Sequence, residues 1–151
     1  MSGEQKTDGD KVVSGVSPTQ RTLAAQRDLG RKCGVVERFV GPLCIRQDLF
    51  GFIDIIALDP AQGIVAIQSC GQDWSGHVTK LLVEREQAVK DWLAHAPVEL
   101  WAWRKVKLKR GGKAMRWKPR IGDVLLKENG ELVVEERRTK SSRTAPDAER
   151  Q

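Results

Sequence analysis

RQDLFGFIDIIALD (46–59) and GIVAIQSC (63–70), separated by the short turn Pro60-Ala61-Gln62, decide how this chain folds. Both are apolar runs rich in β-branched residues and bounded by turn residues, which is the pattern of buried strands. A strand is expected from Leu49 to Leu58, Asp59 to Gly63 form the turn, and Ile64 to Cys70 return antiparallel, because so short a connection excludes a parallel crossover. With period 2, Phe52, Asp54 and Ile56 share one face and Ile53, Ile55 and Ala57 the other. The return strand puts Ile64, Ala66, Gln68 and Cys70 opposite Val65, Ile67 and Ser69. Gln68 then comes close to Asp54 if the two faces coincide; a slip of one residue would reverse this. Asp54 is the anomaly. An unpaired carboxylate in an apolar strand costs several kcal/mol or takes up a proton, so it faces a cleft or meets a cation or donor.

Upstream, Ser17-Pro18 with Gln20 reads as a helix start with a capping box, and the helix is expected to reach about Lys32, with Gly34 as its terminator. VVERFV (35–40) reads as one strand stopped by Gly41-Pro42. Downstream, GQDWSGH (71–77) reads as a loop. Val78, Leu81, Leu82, Arg85, Ala88, Val89, Trp92, Leu93 and Ala96 then trace an amphipathic helix ended by Pro97. VELWAW (98–103) is a strand, Gly111-Gly112 a turn, and 116–120 its return. A last hairpin spans Val124–Lys127 and Leu132–Glu135, with a type I′ turn at Asn129-Gly130. The expected architecture is α/β, a mixed sheet flanked by helices with a basic hairpin toward the C-terminus.

Residues 1–16 and 137–151 are polar and aperiodic and read as disordered arms around one domain at 17–136. The net charge is +6, and from Arg104 to Arg120 every charged residue is basic. Arg104, Lys105, Lys107, Lys109, Arg110, Lys113, Arg116 and Lys118 form a run suited to a polyanion, with nucleic acid as the expected partner; the competing reading is a solvated edge hairpin guarded by lysines. Cys33, Cys44 and Cys70 lack the spacing of a zinc site or a disulfide framework. With no apolar run of membrane-spanning length and no signal core, a cytoplasmic protein without a membrane partner is expected.

Asp54 and Gln68 on adjacent strands about 4.8 Å apart can both offer oxygen to one hard divalent cation; the alternative is a buried Asp satisfied by an arginine or by backbone amides. DLFGFIDIIAL, the following IQSC, a helix ending in WL and a strand carrying WAWRK resemble the PD-(D/E)XK nuclease superfamily, and more closely its small, mostly phage-associated predicted nucleases. The likeness spans about residues 18–118. It implies a restriction-endonuclease-like αβββαβ core, a Mg²⁺ or Mn²⁺ cofactor and DNA as substrate, and it leaves a homodimer and the preferred DNA structure open. In that resemblance Asp54 matches the metal-binding Asp. Gln68 stands where most members have Asp or Glu, and Cys70 where most have Lys. A thiol cannot replace that ammonium, so Lys80 on the second helix is the substitute cation, with an exposed helix lysine as its alternative role. Asp48 is either a second acidic ligand or an exposed strand-end residue. Gln20 lies where some members place a further ligand, although capping suffices to explain it. Trp101 and Trp103 read as core aromatics packed on the second helix rather than base-stacking groups, and Trp74 as a loop residue open to substrate. The function implied is a Mg²⁺-dependent DNA nuclease; the alternative is a disabled nuclease fold that binds DNA.

Overall fold

The computed structural model describes residues 15–138. Most of the two polar arms, including Lys140 and Arg143, lies outside the described residues. The first helix, α1 (Pro18–Asp28), is capped by the Ser17 hydroxyl, which accepts from the Gln20 N–H at 3.1 Å. It ends earlier than expected, at Leu29, because Gly30 takes the left-handed conformation (φ +80°) that Gly34 was expected to take. The chain from Lys32 is therefore strand. VVERFV is divided between β1 (Lys32–Val35) and β2 (Arg38–Val40), which belong to different sheets.

After a 3-10 turn at Gly41–Leu43, β2 pairs with β3 (Ile45–Gln47) as a separate two-stranded hairpin. The main sheet holds β1, β4 (Ile55–Asp59), β5 (Gly63–Cys70), β6 (Val98–Lys107), β7 (Met115–Leu126) and β8 (Leu132–Glu136), in spatial order β1-β4-β5-β6-β7-β8. Only the β5–β6 pair is parallel, so the sheet is mixed. Between β5 and β6 the expected single helix is two, α2 (Trp74–Thr79) and α3 (Glu86–Leu93), joined by a π-helical turn at Lys80–Glu84. The apolar stripe read across this segment nonetheless faces the sheet in both pieces: Leu81 and Val89 are in the core, and Val78, Leu82, Ala88, Trp92 and Leu93 pack against it.

The sheet is covered on both faces. Leu23 and Ala25 of α1 pack on Ile55, Ala57, Val65, Ile67, Trp101 and Trp103. Leu81, Val89 and Trp92 pack on Ala66, Leu100 and Val124. Trp101 and Trp103 are thus core residues as expected, but they lie under the first helix, not the second; the Trp103 indole N–H donates to Thr22 Oγ1 at 2.9 Å. Beneath α1, Arg31 donates to both carboxylate oxygens of the buried Glu99 at 3.0 Å and to Asp59 at 2.8 Å. Arg137, placed by composition in a disordered arm, instead closes this network on Glu99 at 2.9 Å and Asp123 at 2.7 Å.

β6 and β7 form one long hairpin, with β7 continuous from Met115 to Leu126 rather than split in two. Pro119 is tolerated because its paired residue, Trp103, sends its N–H to Gly71 on the β5 side. The missing donor of Pro119 therefore faces away from β6, beyond the end of β8. The β7–β8 turn is not type I′. Lys127 pairs with Glu131 across a loop in which only Gly130 has positive φ (+90°), the three-residue form. No helix among the described residues is long and apolar enough to cross a membrane.

Candidate active site

The expected strand from Leu49 is a tight turn over its first five residues. Phe50 (φ +56°) and Gly51 (φ +82°) are left-handed, and Leu49 bridges back to Ile53. Gly51 allows the turn, because its φ lies in the left-handed region that residues with a Cβ rarely adopt, and the Arg85 side chain occupies the space a Cβ would take. Because Leu49 faces Ile53, the next residues outward, Asp48 and Asp54, face each other. The turn DLFGFID thus delivers two carboxylates to one place.

Asp54 sits at the bend just before β4. Its backbone is held on both sides, accepting from the Val36 N–H at 2.8 Å and donating to the Ile67 carbonyl at 3.0 Å. Its Oδ2 accepts the Ser69 N–H at 2.8 Å, so a backbone amide satisfies part of the buried carboxylate. Ser69 is itself anchored from behind, with its hydroxyl 2.7 Å from that of Thr22 on α1.

Glu37 is the third acidic residue. It follows β1 directly after Val36, whose N–H grips Asp54. Glu37, Asp48 and Asp54 each bring a carboxylate oxygen to within 4.8 Å of the other two. Sequence reasoning passed over Glu37 by taking VVERFV as one strand, although a lone carboxylate amid apolar residues is the signal that marked Asp54.

Lys80 is not an exposed helix lysine. From the first residue of the π-helical turn its Nζ donates to Asp48 Oδ2 at 3.0 Å. Asp48 correspondingly lies at the cluster rather than at an exposed strand end. A second cation, Arg46, lies 3.6 Å from Glu37 on a largely exposed side chain. Three carboxylates therefore face one well-placed ammonium.

The electrostatic consequence falls on Asp54. Burial, and then the Asp48 carboxylate beside it, push its pKa up to about 8 against the Ser69 amide that pulls it down. Burial raises Asp48 too, but its hydrogen bonds with Asp54 and Lys80 outweigh this and leave it below the ordinary range. At neutral pH the Asp48–Asp54 pair thus keeps one proton.

Gln68 continues the register Ile55↔Ile67, which puts it directly across from Asp54. Its amide is fully buried and engaged: Nε2 donates to the Phe52 carbonyl at 2.9 Å, and Oε1 lies 3.2 Å from Nδ1 of His77. The oxygen proposed for a metal is thus turned to His77, which the sequence placed only in the loop 71–77. Burial, and then nearby Lys80, depress the His77 pKa, favouring the neutral ring. Cys70 is buried, and desolvation followed by Asp73 and Asp54 pushes its thiol up to about 12. It is no thiolate and no substitute for a cation.

The remaining expected residues divide. Gln20 is exposed in the first turn of α1. Trp74 is not in a loop but opens α2, with Arg120 stacked 4.2 Å above its ring and the ring edge so close to Gly122 that a Cβ there would lie 2.8 Å from it. Arg104, Lys105, Lys107, Arg116 and Lys118 line the β6–β7 hairpin, and Lys109, Arg110 and Lys113 lie at its tip between the strands.

Comparison with known proteins gives no match: no protein-family model, no curated protein and no solved structure matches this chain.

Proposed function

We propose that this chain is a metal-dependent nuclease of the PD-(D/E)XK type that hydrolyses DNA phosphodiester bonds. The observation that carries the reading is the convergence of Glu37, Asp48 and Asp54 with the Lys80 ammonium at the end of the sheet from which the basic hairpin projects. The element order supports it: α1, β1, β4, β5, the helix pair and β6 follow an αβββαβ sequence, with antiparallel first pairs and a parallel last pair. On this reading the β2–β3 hairpin is an insertion between the first two core strands.

The donor set fits a hard divalent cation, since all three ligand groups are carboxylates and one of them is buried with a strongly raised pKa. Glu37, Asp48 and Asp54 would hold Mg²⁺ or Mn²⁺, which when bound supplies a polarised phosphate oxygen and a water of lowered pKa. Lys80, fixed by Asp48, places a positive charge where charge develops on the phosphate. Gln68 and His77 brace the turn through the Phe52 carbonyl, and Ser69 holds Asp54 in line.

The test is cleavage of single-stranded, duplex and branched DNA in Mg²⁺ and Mn²⁺ by the wild type and by Asp54→Asn. Metal-dependent cleavage lost in the variant is expected; a folded wild type that cleaves none of them ends the proposal. The committed amide of Gln68 and the buried thiol of Cys70 favour a second reading, a nuclease-fold module that binds DNA without cutting it. That reading expects metal-independent binding unchanged by Asp54→Asn.

A further inference from the structure

The register of the sheet sorts the basic run into two faces. Residues paired across a sheet share a face, and successive residues alternate. Gln68 pairs with Leu100 and Leu100 with Gly122; Cys70 pairs with Ala102 and Ala102 with Arg120. Two residues further out, Arg104 pairs with Lys118, and beyond them Val106 with Arg116. The face that carries Asp54 and Gln68 therefore continues outward as Arg120, then Arg104 with Lys118, then Arg116.

Lys105 and Lys107 point to the other face. There Trp117 is held between Arg21, 4.3 Å from its ring centre, and Lys105 at 5.4 Å, so part of that charge is spent on packing against α1. On the site face Arg120 is tied to Glu136 at 2.9 Å and stacked on Trp74. Arg104, Arg116 and Lys118 enter no ion pair among the described residues. An open cleft of about 480 Å³ lies at the β7 edge, where Arg104, Lys118 and Arg120 of this face meet Pro119, Arg137 and Arg138, with Glu136 the one acidic group.

We propose that one DNA phosphodiester backbone runs along the site face of the β6–β7 hairpin, over Arg104, Lys118 and Arg116, into the carboxylate cluster, and that the opposite face takes no part. Leu100 and Ala102 are buried, so the accessible part of the track runs from Arg120 to Arg116, about 13 Å at the usual strand rise. This spans several phosphates at ~3.4 Å of axial spacing per strand. The proposal rests on the nuclease reading for the place of cutting, not for binding.

Two charge-matched double variants of the full chain, Arg104→Gln with Lys118→Gln and Lys105→Gln with Lys107→Gln, are compared by fluorescence anisotropy without divalent metal, with melting curves as fold controls. Single-stranded and duplex oligonucleotides are separate arms that identify which form supplies the backbone. For the site-face pair, the slope of log affinity against log salt is expected to fall by about 1.8 on duplex or about 1.4 on a single strand, with at least roughly tenfold weaker binding at low salt. The other pair leaves slope and affinity within about twofold of wild type. Equal losses from both pairs, meaning diffuse attraction, overturn the proposal, as does a wild type that binds neither DNA at low salt. Face-selective binding in a protein that cuts nothing upholds the track and refutes the nuclease reading instead. If the Gln pair melts early, Lys118→Glu alone must lower affinity, and no loss overturns the track.

Discussion

Asp54→Asn is expected to stabilise the metal-free protein, and to do so more as pH rises. In the folded chain Asp54 holds its proton to about pH 8, whereas in the unfolded chain an aspartate ionises near pH 4. The folded state therefore binds one proton more between these limits, and wild-type stability falls as pH rises through that window, by up to ~1.4 kcal/mol per pH unit. The full window would give an upper figure of ~5 kcal/mol, reduced by the opposite contribution of Asp48, whose pKa the fold lowers. Asparagine reproduces the protonated form: its oxygen can still accept the Ser69 N–H, and its NH₂ can face Asp48. It has no proton to lose. Urea denaturation in EDTA at about pH 4, 6 and 8 should show the two proteins alike at the acid end and diverging in favour of the variant toward the alkaline end. Parallel stability curves, or a variant equally weakened at every pH, would refute the account of Asp54 as a buried carboxylate held against its charge.

Three further outcomes follow from the same cluster. Divalent metal must displace the shared proton, so Mn²⁺ binding to the wild type should release about one proton near neutral pH and tighten with rising pH; calorimetry in buffers of different ionisation enthalpy measures this, and Asp54→Asn should show no release. Lys80→Met removes the ammonium held by Asp48. Single-turnover cleavage should slow by roughly 10²–10³-fold while stability changes by less than about 1 kcal/mol, and an unchanged rate would remove Lys80 from the mechanism. Gly51→Ala puts a Cβ against Arg85 at φ +82°. It should cost about 1–3 kcal/mol in denaturant and weaken Mn²⁺ binding by loosening the turn, whereas Gly63→Ala, at similar φ in open space, should leave metal affinity intact.

By itself the sequence determined the antiparallel hairpin whose register sets Asp54, at the bend before β4, across from Gln68, the two-sided burial of that hairpin, the α/β class, and the concentration of positive charge on the β6–β7 segment. These are local properties: turn length forces an antiparallel pair, period 2 sets the faces, and charge is additive along a chain. Gly51 could have been read as a turn inside DLFGFID, but the surrounding apolar run is equally good strand. Tertiary structure decided the rest. Glu37 joins Asp48 and Asp54 only because β1 pairs with β4, and Lys80 turns inward only because a π-helical turn faces the Asp48 carboxylate. Gln68 gives its oxygen to His77 only because α2 is laid over β5. Each depends on which distant residue fills the space across a pair or a layer, and no short-range pattern carries that information.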